Sequence, residues 1–177
     1  KIIEDTFNKK DDIRIEMSVS NITYSSGNTD KFKQEYNYKS FNDPVHVVKE
    51  SSSEFKVYEE IPPIIEIIKA EFEITTNYNP DNLYLTSSSG NILLDGINPY
   101  ISFKGITSSG NIFLNSMNTK SIELNTSSGK IEGKGLFNYE TGVISTSSGN
   151  INFDSIKGNN TAISNSSGKI EILDSIN

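Results

Sequence analysis

The chain has 177 residues, a formal charge of −7, no cysteine, no tryptophan and one histidine. That length admits one sizeable core or two small ones. The composition excludes a disulfide frame, a thiolate metal site and general nucleic-acid binding, and no run reaches the roughly 18 apolar residues of a membrane span. From Thr86 onward there are 6 lysines against 7 acidic residues, a net of −1; the other 10 basic and 16 acidic residues leave −6 in the first half. A start at Lys1 rather than Met reads as a mature fragment, its signal or anchor removed upstream.

From the N-terminus, Lys1–Lys10 reads as a polar lead-in. Ile13 to Val19 alternate apolar and polar, which predicts a half-buried strand. Asn21–Tyr24 is a second strand, and Ser25-Ser26-Gly27-Asn28 follows it as a corner. Phe32–Tyr38 is an alternating strand and Ser40–Pro44 a turn. Val45–Lys49 and Glu54–Tyr58 flank Ser51-Ser52-Ser53 as a hairpin or corner. Glu59-Glu60 reads as a solvated charge run. Ile61-Pro62-Pro63 interrupts pairing, because proline lacks the donor. Ile64–Thr75 predicts the longest strand, with a helix over Ile64–Phe72 as the alternative. Asn77–Asp81 turns the chain into Leu83.

One phrase then recurs: Ser88-Ser89-Gly90-Asn91-Ile92, Ser108-Ser109-Gly110-Asn111-Ile112, Ser127-Ser128-Gly129-Lys130-Ile131, Ser147-Ser148-Gly149-Asn150-Ile151 and Ser166-Ser167-Gly168-Lys169-Ile170. The glycines advance by 20, 19, 20 and 19 residues. Such a period marks a stacked solenoid. After each glycine, one apolar column is Ile92, Ile112, Ile131, Ile151 and Ile170; the next is Leu94, Leu114, Gly133, Phe153 and Ile172. A turn follows, closed by Ile97, Met117, Leu136, Ile156 and Ile176. A second strand returns through Leu83 and Leu85, Ile122 and Leu124, Ile144 and Ile163. Its Phe103–Ile106 copy is shifted by about one residue, and Gly142 interrupts another. At the Ser-Ser-Gly corner, glycine supplies a backbone state closed to other residues. Ser25-Ser26-Gly27-Asn28 is an imperfect sixth copy.

These features predict an all-β right-handed parallel β-helix or β-roll with two-strand coils of about 20 residues. It forms one continuous domain over 1–177, irregular over 1–82, with five regular repeats over 83–177. The last coil breaks off at Asn177, so a continuing chain or a neighbouring molecule covers its edge.

The repeated Ser-Ser-Gly-Asn/Lys-Ile corner resembles the bacterial putative-adhesin family of β-solenoid domains of unknown function, which includes LiaG-like cell-envelope stress proteins. The likeness covers Leu83–Ile172 well and Ile13–Tyr38 loosely. It implies a cell-envelope or secreted location and an adhesin-like role, and it brings no catalytic motif. Asn and Lys stand here where that family often has Asp, which counts against an acidic metal ladder.

The residues themselves offer little reactive chemistry. Asp95, Asn115, Lys134, Asp154 and Asp174 form the turn column, and only Asp154 and Asp174 are near enough to share an ion. His46 lies beside valines without a Ser/Asp constellation. Ser87, Thr107, Thr126, Thr146 and Asn165 stack before the corner, where local hydrogen bonds explain them better than ice binding does. Leu93 and Phe113, with Tyr84 and Tyr100 close by, form a candidate binding surface; the competing reading covers them with Ile64–Phe72. The sequence thus predicts a non-enzymatic, adhesin-like binding scaffold without catalytic residues, metal or cofactor. Its partner is an envelope component, glycan or protein, or another copy met end to end. A carbohydrate-active β-helix enzyme and a self-assembling structural module are the alternatives.

Overall fold

The structure is a computed structural model describing residues 1–39, 44–62, 66–97 and 99–176. Among these are fifteen strands and no helix. They are β1 (Ile2–Thr6), β2 (Asp12–Met17), β3 (Asn21–Ser26), β4 (Lys31–Lys39), β5 (Val45–Glu50), β6 (Glu54–Glu60), β7 (Glu66–Thr76) and β8 (Asn82–Ser87). Then come β9 (Ile92–Asp95), β10 (Ser102–Thr107), β11 (Ile112–Asn118), β12 (Ser121–Thr126), β13 (Ile131–Thr146), β14 (Ile151–Asn165) and β15 (Ile170–Ile176). The predicted polar lead-in is the strand β1. The helix alternative fails because β7 is a strand; Ile64, Ile65 and Pro63 lie outside the described residues, as does most of the predicted 40–44 turn. The longest strands are β13 and β14, each running through both faces of a coil.

Parallel pairing builds a solenoid-like stack with two faces. On the first face the order is β6, β2, β8, β10, β12, then 141–146 of β13 and 160–165 of β14. On the second it is β7, β3, β9, β11, then 131–138 of β13, 151–158 of β14, and β15. The lower end carries antiparallel strands: β5 on β6, and β4 then β1 on β7. Stack order therefore departs from chain order, because β6 and β7 lie beneath β2 and β3.

The predicted columns meet in register. Ile92, Ile112, Ile131, Ile151 and Ile170 are successive partners, and the first four are fully buried. Phe103 pairs with Leu83 and Ile122, so that copy is unshifted. Gly105 takes the second inward place because the Phe103 ring fills it; an added Cβ would lie 3.1 Å from Phe103 Cζ. At the turn, Phe137 rather than Leu136 enters the core. A bulge between Gly133 and Leu136 shifts the register, leaving Leu136 exposed. The Phe137 and Phe153 rings meet edge to face at 4.9 Å, in space that Gly133 leaves open. Ser175, not Ile176, pairs with Ile156.

The Ser-Ser-Gly corner works differently from the expectation. Among the described residues only Gly96 and Gly135 have positive φ, and both lie in the opposite turns. Corner glycines are required by close approach: a Cβ on Gly110, Gly129, Gly149 or Gly168 would collide with the glycine carbonyl one coil below. The hydroxyl column fastens the same contact. Thr107 Oγ1 accepts from Gly110 N (3.1 Å) and donates to Gly90 O (3.1 Å); Thr126 and Thr146 repeat this, and Asn165 does so with its amide. These threonines are buried, which removes the ice-binding reading. Asn side chains form a second ladder outside it: Asn91 Oδ1 accepts from Asn111 N, and Asn111 Oδ1 from Lys130 N.

The sixth corner is not where the phrase recurs. Ser25 pairs with Asp95, which puts Ser25-Ser26-Gly27 at the opposite turn. The true corner is Ser18-Val19-Ser20, whose carbonyl at Ser18 accepts from Ser89 N and whose Ser20 carbonyl accepts from Ser87 Oγ. Ser20 occupies the glycine place and keeps its side chain because no backbone corner presses from below. Glu59 is there instead. Its carboxylate accepts from the backbone N–H groups of Ser18 (2.7 Å), Val19 (3.0 Å) and Ser20 (3.4 Å), from the Ser20 hydroxyl, from Tyr36 OH (3.1 Å) and from Gln34 Nε2 (3.5 Å). Glu59 is buried and Glu60 exposed, which corrects the solvated reading for the first of them.

Candidate binding surface

Leu93 and Phe113 are register partners on adjacent strands, as expected, and both side chains face outward. Leu93 is 38% exposed; Phe113 is half-buried, with the Lys130 ammonium 5.0 Å from its ring centroid and itself held by Glu132 at 2.7 Å. The predicted cover is absent among the described residues. β7 lies in the same sheet, separated from β9 by β3, and does not cross over this face. Around the pair stand Thr23, Asn91, Asn111, Asp95 and Asn115, with Asn115 Nδ2 donating to Asp95 Oδ1 at 2.8 Å.

Tyr84 is elsewhere. It precedes the corner that Leu93 follows, so it lies on the first face, between Arg14 and Lys104 in register. The Arg14 guanidinium sits 4.3 Å from its ring centroid. This tyrosine belongs to a charged lattice: Arg14–Glu54 (3.3 Å), Lys56–Glu16 (2.8 Å) and Lys104–Glu123 (2.9 Å). Tyr100 is at a third place, the corner leading into β10, where it is 63% exposed. The four residues grouped from sequence thus occupy three separate surfaces. Strand parity says which side chains point outward, but not which face a strand belongs to.

Two depressions were not foreseen. One, of about 330 Å³, opens beside Tyr100, between Asn118 and Asn138 on one rim and Lys120 and Glu140 on the other. The residues that follow its rim in the chain, Ser121, Thr141 and Asn160, line a groove of about 490 Å³ on the first face. The other, about 320 Å³, lies over β1, β4 and β7 and holds Glu4, Asp5 and Glu73 with Lys31 and Lys33. There the register alternates charge, Glu4–Lys33–Glu73.

His46 is directly across from Glu59 and meets Phe32 edge to face at 5.8 Å. The sequence reading missed this proximity to Glu59. Burial, followed by the Lys1 charge, holds its pKa below the ordinary value against the pull of Glu59. Ser20 Oγ donates its hydrogen bond to Glu59, and the buried His46 Nδ1 has no hydrogen-bond partner among the described residues. The turn column is used locally: Asp154 Oδ2 accepts from Gly135 N at 2.9 Å. Among the described residues no group of three or more His, Asp or Glu side chains is placed to hold a metal ion, and no helix is long and apolar enough to cross a membrane.

The family model described as Toastrack DUF4097 matches residues 6–175. Solved structures share the fold. A putative cell adhesion protein from Clostridium sporogenes ATCC 15579 is 12% identical, with 99% of this chain and 99% of that one covered and a TM-score of 0.51. A putative adhesin from Bacteroides fragilis NCTC 9343 is 12% identical, with 99% and 97% covered and a TM-score of 0.53. At that identity the likeness concerns fold alone. No curated protein matches the chain.

Proposed function

We propose, from the premise that this chain belongs to the Toastrack DUF4097 family, that it is a non-enzymatic binding scaffold of adhesin type, secreted or held in the cell envelope. The names of the structural neighbours support that reading. The observation that carries it is the outward-facing Leu93–Phe113 pair, on a sheet face that none of the described residues covers, framed by amide and carboxylate side chains. The chain's buried polar groups, by contrast, serve the stack: the threonine column bonds corner to corner and Glu59 closes the lowest corner. Within this proposal the coils form a right-handed parallel β-helix of about 20-residue, two-strand turns, one unit from 1 to 177, with LiaG-like proteins among its relatives.

Retention of the purified chain on isolated cell-envelope material tests the proposal. Retention without turnover of polysaccharide is expected, weakened about tenfold by Leu93→Ser with Phe113→Ser if that pair is a hot spot. Reproducible cleavage of a polysaccharide would overturn it. One observation favours the enzymatic alternative: the carboxylates Glu4, Asp5 and Glu73 share a depression. That reading requires turnover that Glu73→Gln abolishes.

A further inference from the structure

We infer that the cleft beside Tyr100 is a ligand site of its own, and that its ligand is a short glycan containing an acidic sugar. The inference rests on the scaffold reading above and gives it a ligand class.

The cleft exists because one corner is longer than the others. From the buried turn residue to the first residue of the next strand, the chain takes four steps at Met117–Ser121, Phe137–Thr141 and Ile156–Asn160, but five at Ile97–Ser102. Pro99 stays buried, and the extra residue pushes Tyr100 and Ile101 into solvent. The next two coils follow the shorter path, which leaves a hollow of about 330 Å³ against the tyrosine. That volume is at the small end of the ~300–1,000 Å³ of ligand pockets.

Its walls have three kinds of chemistry. Tyr100 offers a rigid aromatic surface, suited to the apolar face of a pyranose ring. Asn118 and Asn138 form an amide rim fixed by a 3.0 Å hydrogen bond, suited to sugar hydroxyls. Lys120 and Lys157 supply two ammonium groups against one carboxylate, Glu140. None of these three makes an ion pair within 4.0 Å among the described residues, whereas Lys10, Lys33, Lys56, Lys104, Lys130 and Lys169 all do. In a chain of charge −7, a cleft with surplus positive charge favours a ligand that carries a carboxylate or sulfate. The adjoining groove over Ser121, Thr141 and Asn160 gives room for neutral sugars that extend from it.

A glycan array holding neutral, uronate-containing and sialylated oligosaccharides tests this, with variants that leave the fold intact because they sit on the surface. Acidic glycans should bind, Tyr100→Ala should weaken them about tenfold or more, and Tyr100→Phe should retain them, since the ring does the stacking. Lys120→Ala with Lys157→Ala should abolish the preference for acidic over neutral glycans. Binding of neutral glycans alone, or indifference to Tyr100→Ala, overturns the inference. Retention on envelope material with no glycan bound overturns it too, and leaves the scaffold reading standing; cleavage of the arrayed glycans instead overturns the scaffold reading itself.

Discussion

Glu59 is the strongest single test of how the stack is closed. Its carboxylate receives six donors, three of them the N–H groups of the lowest corner. Glu59→Ala leaves those donors in a pocket too buried for bulk water. Each stranded buried donor costs about 1–3 kcal/mol, and removing one partner of a buried charged network about 3–5 kcal/mol. The desolvation that the carboxylate itself suffers offsets part of this. The expected loss is therefore about 4 kcal/mol for alanine, or about 10 °C in Tm at this chain length. Glu59→Gln keeps one acceptor and sets an NH₂ against the remaining donors, for about half that loss. Urea unfolding followed by tyrosine fluorescence and far-UV circular dichroism measures both. Hydrogen exchange at Ser18, Val19 and Ser20 should accelerate in the variants, while exchange at the Gly129 corner stays slow. A loss under about 1 kcal/mol for alanine, or uniform acceleration through the stack, would refute the account of a carboxylate closing the corner.

Ile131 is fully buried in the isoleucine column, so Ile131→Ala should cost about 2–5 kcal/mol in the same urea titration; a change under about 0.5 kcal/mol would contradict the register. Gly110→Ala and Gly27→Ala separate phrase from place. The first drives a Cβ into Gly90 O and should lose about 3 kcal/mol or more, whereas the second meets Thr75 Cβ at 3.1 Å and should lose less than about 1 kcal/mol. Equal losses would mean that both serine-glycine phrases are corners. Burial pushes the Tyr78 hydroxyl up to about 12. Between pH 10 and that value the unfolded chain ionises this group and the folded chain does not, so stability should fall with rising pH; a flat urea midpoint there would refute it.

The regular coils were legible because identical columns recur: period two fixes the strands, and the glycine spacing fixes how they stack. The lower end was obscure for three physical reasons. Its corner, Ser18-Val19-Ser20, has no glycine, since a side chain rather than a backbone lies beneath it. Its next coil, β6 and β7, comes later in the chain than the coil it supports. And Glu59 resembles a surface charge unless the alternation Phe55, Val57, Glu59 is followed to its end, where the third inward residue is acidic. The candidate surface was half legible. Leu93 and Phe113 follow from one column, whereas Tyr84 lies across the corner from them. Tyr100's prominence was not legible from the glycine spacing: the steps from Gly90 to Gly110 and from Gly129 to Gly149 are both 20 residues, but the second spends its extra residue in the bulge between Gly133 and Leu136.

The order of the stack also decides how the molecule would give way under tension. In the upper coils each strand grips one made about twenty residues earlier, as Ile112 grips Ile92. Pulled from the Asn177 end, such coils come away singly, each freed by breaking one neighbouring pair of ladders. β2, although next to the other terminus in sequence, is no end strand: it is clasped by β6 and by β8, and Ile13 meets Leu83 seventy positions along the chain. Closing that larger loop costs only about 1 kcal/mol more entropy than closing a single coil. In return, a pull from the Lys1 end peels β1 from β4 and then meets a strand that must be sheared from two partners at once. The solenoid is thus a ratchet at one end and a zip at the other.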